Sequence, residues 1–166
     1  LADLDAQRDY VNFYAYLHTI VDRRIGAILD ALEAHGLSES TIVLRLSDHG
    51  ELGLSHGMRE KSYSSYEEMI HIPLVVSNPL LYPEPRETQA FYSHLDLLPT
   101  LTELAGVPQL ASYGLGKSIA PVLRDPAASV QDSVLFCYDD VFRLPAGAAG
   151  ANLRTLRERD WAYSVY

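Results

Sequence analysis

Asp48 and His49 carry the densest chemistry in the chain: a carboxylate and an imidazole that follow directly on the short, β-branched run Thr41-Ile42-Val43-Leu44-Arg45-Leu46. In open α/β sheets ligands bind beyond the carboxyl ends of strands. Gly50 lets the backbone turn sharply there, so two side chains that a continuing strand would aim apart can converge on one ion or substrate. The same loop goes on to supply Glu51, His56, Gly57 and Lys61. An acid, two imidazoles and an ammonium in one loop can bind an anion beside a metal. Taken as a bare tripeptide, Asp-His-Gly is equally an ordinary turn, with Asp48 capping it and His49 packed on a neighbour. If it binds a metal, an Asp-His pair by itself suggests zinc or manganese, since calcium prefers oxygen ligands.

These residues need a frame to position them. Tyr10, Phe13, Tyr14, Leu17, Ile20 and Val21, continuing through Ile25, Ile28, Leu29 and Leu32, recur at three- and four-residue spacing. That is the signature of an amphipathic helix, placed at about residues 9–35 with Gly36 as its stop, and its aromatic residues read as core or packing groups. Helix, polar turn and strand 41–46 make an α/β unit, with the strand central and the helix across one face. Residues 47–62 break the apolar pattern, and loops longer than about 12 residues inside a domain are usually functional. A short helix is expected at Ser64–Met69 and a buried strand at Leu74-Val75-Val76-Ser77. Next comes a helix capped by Ser93 or Asp96, the cap worth about 1 kcal/mol, with Leu97, Leu98, Leu101 and Leu104 as its apolar face. Strands are expected at 134–136, 152–156 and 161–166, with Pro145–Gly150 as a flexible connection, and Cys137 reads as a buried structural thiol.

Several blocks, in their order and spacing, resemble the C-terminal half of the sulfatase family in the alkaline phosphatase superfamily. They are Ser47-Asp48-His49-Gly50-Glu51, Leu52-Gly53, His56-Gly57 with Lys61, Tyr66-Glu67-Glu68, Ile72-Pro73-Leu74-Val75, Ser93-His94-Leu95-Asp96-Leu97-Leu98-Pro99-Thr100 and Gly116-Lys117-Ser118-Ile119. The resemblance runs from about Tyr10 to Leu123 and is weaker beyond. It implies an α/β fold: part of an alkaline-phosphatase-like sandwich with a mostly parallel sheet, plus the start of a small C-terminal antiparallel sheet. Residues 1–128 would belong to the catalytic domain and 129–166 would open the smaller subdomain.

The resemblance further implies that Asp48 and His49 are metal ligands, the divalent metal being calcium, and that Lys61 contacts the sulfate oxygens. A compact three-donor cation suits that role, because it can hold a tetrahedral anion and offset charge on the leaving oxygen. His56 would donate to the sulfate or the leaving oxygen, or shape the loop. Glu67 and Glu68 would orient the loop or cap the strand entry rather than catalyse, and His94 is read as structural. The reaction implied is sulfate-ester hydrolysis on a small-molecule or carbohydrate sulfate ester.

Family members also need a formylglycine, made from a Cys/Ser-x-Pro-x-Arg segment, and an early acidic pair that completes the metal site. No Cys/Ser-x-Pro-x-Arg segment occurs here, and the pair Asp139-Asp140 lies after the metal loop rather than far before it. The chain starts at Leu1 and stops at Tyr166 in an unfinished strand pattern, so it reads as a fragment. Its partner would be the missing N-terminal half of the same protein, the expected home of the formylglycine. Without that nucleophile the fragment should not turn over. Two rival readings are a phosphonate or phosphodiester hydrolase of the same superfamily, whose metal loop also carries Asp-His-Gly, and a non-catalytic binding domain.

Composition narrows the field around that reading. The 166 residues are 48% apolar and 21% charged, which argues against disorder and repeats, and the single Cys137 excludes an internal disulfide. Thirteen Lys and Arg against 22 Asp and Glu leave a net charge of −9 with no basic run, so nucleic acid is a disfavoured partner. No apolar run approaches the roughly 18 residues of a membrane span, so no membrane partner is expected.

Overall fold

The first helix starts where a carboxylate can cap it. Asp3 accepts hydrogen bonds from the Asp5 and Ala6 N–H groups at 3.0 and 3.1 Å, so α1 runs Leu4–Ala34, beginning earlier than the apolar periodicity indicates. It ends at Gly36, whose φ of +66° is a left-handed stop. The computed structural model describes residues 3–61, 63–111, 114–139 and 152–166, arranged as two compact units, Leu1–Glu84 and Pro85–Tyr166.

In the first unit the apolar stripe of α1 is not the core it was expected to be. None of its residues is buried, and Phe13 and Tyr16 are 61% and 60% exposed. Lengths explain this: a helix of 31 residues is about 46 Å long at 1.5 Å per residue. The strands of its unit, β1 (Val43–Leu46) and β2 (Leu74–Ser77), have four residues each, about 13 Å, and cannot cover the stripe. No helix among the described residues is long and apolar enough to cross a membrane.

Strands β1 and β2 pair antiparallel, Val43 opposite Ser77 and Leu46 opposite Leu74, so the mostly parallel arrangement is not formed by these strands. The reason lies in the connection. Among the described residues it holds one α-helix, the four residues of α2 (Glu67–Ile70), shifted a few positions from the expected 64–69, and so offers no crossover helix to return the chain parallel. Instead it folds back on itself, and the Gly50 N–H donates to the Met69 carbonyl at 2.9 Å beyond the end of the strands. Among the described residues β1 therefore has β2 as its one ladder partner rather than a central position. Asn78, 4% exposed, closes the other end of this sheet: its amide donates to the Glu39 and Thr41 carbonyls, while its Oδ1 accepts from the Leu80 and Leu81 N–H groups.

The second unit is built on a buried polar hub. Ser93 and Asp96 form a reciprocal capping box at the turn that leads into α3 (Leu97–Leu104). The buried residues of α3 are Thr100 and Thr102, whereas Leu98 and Leu101 of the expected apolar face are each 41% exposed. Hydrogen bonding turns the helix this way. Thr100 donates to the Asp96 carbonyl at 2.6 Å and accepts from the Ile119 N–H at 3.0 Å, which draws the segment before α4 (Ala120–Arg124) onto the polar side. Gly116 allows the approach, since a Cβ there would stand 1.8 Å from the Leu95 carbonyl oxygen.

Strands β3 (Ser133–Asp139), β4 (Asn152–Glu158) and β5 (Ala162–Val165) form the expected small antiparallel sheet in the order β3-β4-β5. Leu153 and Thr155 are buried on one face. Cys137 pairs with Arg154 on the other face, and it is exposed rather than a buried thiol. The two-residue period decides this, because Leu135, Cys137 and Asp139 all point to the open side. Asp139 forms an ion pair with Arg154 at 2.7 Å, whereas Asp140 and the Pro145–Gly150 connection lie outside the described residues.

Candidate functional site

The end of β1 delivers Asp48 and His49 to one place. The His49 N–H donates to Asp48 Oδ1 at 3.0 Å, folding the carboxylate back toward its own neighbour, and His49 Nε2 lies 3.5 Å from Asp48 Oδ2. His49 Nδ1 stands 2.8 Å from the Gly50 carbonyl oxygen. A carbonyl can accept but not donate, so Nδ1 carries a proton, and in the neutral form of the ring the lone pair lies on Nε2, the atom nearest the carboxylate. That is the tautomer a metal-binding imidazole needs. The Asp48 side chain is 86% exposed and that of His49 40%. The His49 N–H bond, then the imidazole charge, and last the Lys61 ammonium hold the Asp48 carboxyl below its ordinary range.

Gly50 makes this turn possible. A Cβ on it would fall 1.9 Å from the Glu68 carbonyl oxygen, which is backbone and cannot swing aside. Gly50→Ala is expected to cost about 1–3 kcal/mol through displacement of the neck between residues 50 and 69. A denaturant melt reads the loss, and an unchanged midpoint would show that the two segments separate freely.

Below the neck a smaller loop carries His56 and Lys61. Leu52, 1% exposed, anchors it and donates its N–H to the Glu60 carbonyl at 3.3 Å. Leu54, His56 and Glu60 all take left-handed φ values of +79°, +55° and +61°, a costly run for residues with side chains. His56 is held by Tyr66 and Glu68. Its ring stacks on Tyr66 with centroids 3.8 Å apart, and its Nε2 lies 3.5 Å from Glu68. The Glu68 carboxyl is held low by its own backbone N–H, then by the Ser55 hydroxyl, with the nearby His56 contributing less. Glu67 faces His71 at 3.6 Å. Lys61 is exposed at the end of the loop, near enough to Asp48 for its charge to act there.

Tyr66 and Tyr10 take parts in this site that the sequence pattern does not indicate. Tyr66 stacks on His56, and Tyr10 on α1 donates its hydroxyl to Glu51. Tyr10 falls within the helical period and looks like any packing aromatic; nothing in its spacing reports a contact far along the chain. His94, by contrast, begins the turn into α3 in the second unit, in keeping with a structural reading.

Asp48 and His49 together fit part of a metal site. Among the described residues no three His, Cys, Asp or Glu side chains converge on one ion, so an ion held by Asp48 and His49 would need further ligands beside them.

A family model for sulfatases matches residues 2–107. With that match covering more than half of the chain, and the Asp-His turn standing where it does, the chain belongs to the sulfatase family. It is 33% identical over 119 residues to the Delta 4,5-hexuronate-2-O-sulfatase of Bacteroides thetaiotaomicron, covering 70% of this chain and 24% of that protein. Its identity with arylsulfatase K of Xenopus laevis is 37% over 116 residues, 70% of this chain and 21% of the relative. Among solved structures, a 2-O GAG sulfatase aligns with a TM-score of 0.83 at 26% identity, over 98% of this chain and 35% of that one. The phosphonate monoester hydrolase of Agrobacterium radiobacter aligns at 0.71 with 25% identity, over 88% and 31%. These neighbours give the alkaline-phosphatase-like fold. The chain spans about a quarter of the curated relatives it matches and about a third of the solved chains.

Proposed function

We propose that this chain is the C-terminal part of an enzyme that hydrolyses sulfate esters, with residues 1–128 completing its catalytic domain and 129–166 opening a smaller subdomain. The observation that carries the reading is the joint placement of Asp48 and His49 past the end of β1, with His49 Nδ1 on the Gly50 carbonyl and Nε2 3.5 Å from the carboxylate. A carbohydrate sulfate is the favoured substrate class, since the aligned relatives include a hexuronate-2-O-sulfatase and a GAG sulfatase. The phosphonate hydrolase keeps the phosphoester alternative in view at lower identity.

Within this chain the division of labour follows from chemistry. Asp48 Oδ2 and His49 Nε2 would hold a calcium ion together with carboxylates from the preceding half of the protein. When bound, such an ion would supply positive charge to offset that of the sulfate oxygens, and the nucleophile would be a formylglycine of that preceding half. Lys61 holds the sulfate through up to three N–H donors and offsets the negative charge that grows on the leaving oxygen. Clamped between Tyr66 and Glu68, His56 fixes the loop from which Lys61 extends.

Calcium binding and turnover of 4-nitrophenyl sulfate by the full-length protein test the reading. Asp48→Ala is expected to weaken calcium binding about a hundredfold, comparable to the loss of a strong ligand or its support. Turnover should fall with it while the melting temperature stays put. Hydrolysis of 4-nitrophenyl phosphonate in preference to the sulfate would move the protein to the rival class.

A further inference from the structure

Tyr10 stands where α1 crosses the base of the loop, and its hydroxyl serves both arms. It donates to Glu51 Oε1 on the incoming arm and accepts from the Glu60 N–H on the outgoing arm at 3.4 Å. The same Glu51 oxygen accepts the Gly53 N–H at 3.2 Å, and Leu52 donates to the Glu60 carbonyl at 3.3 Å. The Tyr10 ring is itself fixed, stacked parallel to Tyr14 at 6.3 Å with the Arg59 guanidinium 5.7 Å over its face.

Glu60 gives this arrangement its consequence. Its φ of +61° is unfavourable for a residue with a side chain, and the direction in which the backbone leaves it sets where Lys61 begins. We propose that Tyr10 is a positioning residue: by tying Glu51 and Glu60 to α1, its hydroxyl holds the strained turn that aims Lys61 toward the Asp48–His49 end of the loop. The catalytic part of this inference rests on the sulfate-hydrolase reading, whereas the tie itself does not.

Tyr10→Phe removes one oxygen and keeps the ring contacts with Tyr14 and Arg59. In the full-length protein, amide hydrogen exchange at Gly53 and Glu60 is expected to rise about tenfold or more, with the β1 and β2 amides changing less than about threefold. On 4-nitrophenyl sulfate kcat is expected to fall about tenfold with KM within about threefold, because a misplaced cation weakens the transition state more than the encounter. Glu51→Gln still accepts the tyrosine proton and should stay within about threefold of the parent, whereas Glu51→Ala should follow Tyr10→Phe. Unchanged exchange in Tyr10→Phe overturns the tie. Faster exchange with an unchanged kcat overturns the positioning role. If the parent protein shows no turnover at all, the sulfate-hydrolase reading falls and the aiming of Lys61 falls with it, while the exchange result still decides the tie.

Discussion

Lys61→Ala is expected to lower kcat on 4-nitrophenyl sulfate by about a hundredfold to a thousandfold, the range seen when one donor to a developing oxyanion is removed. Lys61 is exposed at the end of the loop, and its charge reaches Asp48, so the ammonium belongs to the same end of the unit as the carboxylate and imidazole. An exposed lysine there does little for the fold, and stability should change by less than about 0.5 kcal/mol. KM should rise less than kcat falls, because the leaving oxygen becomes charged in the transition state rather than in the bound ester. Lys61→Arg should recover a minor part, since a planar fork spreads its charge and cannot set three donors around one tetrahedral group. Steady-state kinetics on the full-length protein decide it, and a kcat within about threefold of the parent would remove Lys61 from the mechanism.

Local chemistry was legible in the sequence where it depends on neighbours along the chain. Gly36 ends α1 with φ of +66°, as its position after the apolar run announces. Asp48, His49 and Gly50 could be read together because a strand end and a turn bring adjacent residues to one point. Contacts over long separations left no such mark. The periodicity of α1 states that one face is apolar and is silent on whether anything in the chain covers it, so Phe13 reads as core and is 61% exposed. The same limit hid Tyr10, whose hydrogen bond to Glu51 joins residues 41 positions apart. The ladder direction was also out of reach, since strand composition at 43–46 and 74–77 fits either sense and the backbone bond from Gly50 to Met69 fixes it. Cys137 shows the opposite failure: its flanking aromatics suggest burial, while the register with Arg154 places it on the open face.

Asp96 is where sequence reasoning found the right residue and assigned it too small a role. A helix cap is worth about 1 kcal/mol, but this carboxylate is 1% exposed and satisfies three donors. The Lys117 N–H donates to Oδ1 at 2.7 Å, while the Ser93 N–H at 2.8 Å and Gln131 Nε2 at 2.7 Å both donate to Oδ2. One side chain thereby fastens the start of α3, the segment before α4 and the approach to β3. Asp96→Ala strands two backbone donors and an amide in a buried site, each costing about 1–3 kcal/mol, and the combined loss is expected to be about 3–5 kcal/mol. At roughly 4–8 °C per kcal/mol for a unit of this size, the second unit should melt at least about 12 °C lower. Asparagine is not a rescue. Each carboxylate oxygen faces a backbone N–H, so whichever way the new amide turns, its NH2 group meets a donor that cannot move. Asp96→Asn should therefore fall close to alanine, unlike an exposed cap, where asparagine and aspartate are interchangeable. Thermal melts of the two variants, with amide exchange at Ser93 and Lys117, separate these outcomes. A loss near 1 kcal/mol for alanine and none for asparagine would return Asp96 to the status of a simple cap.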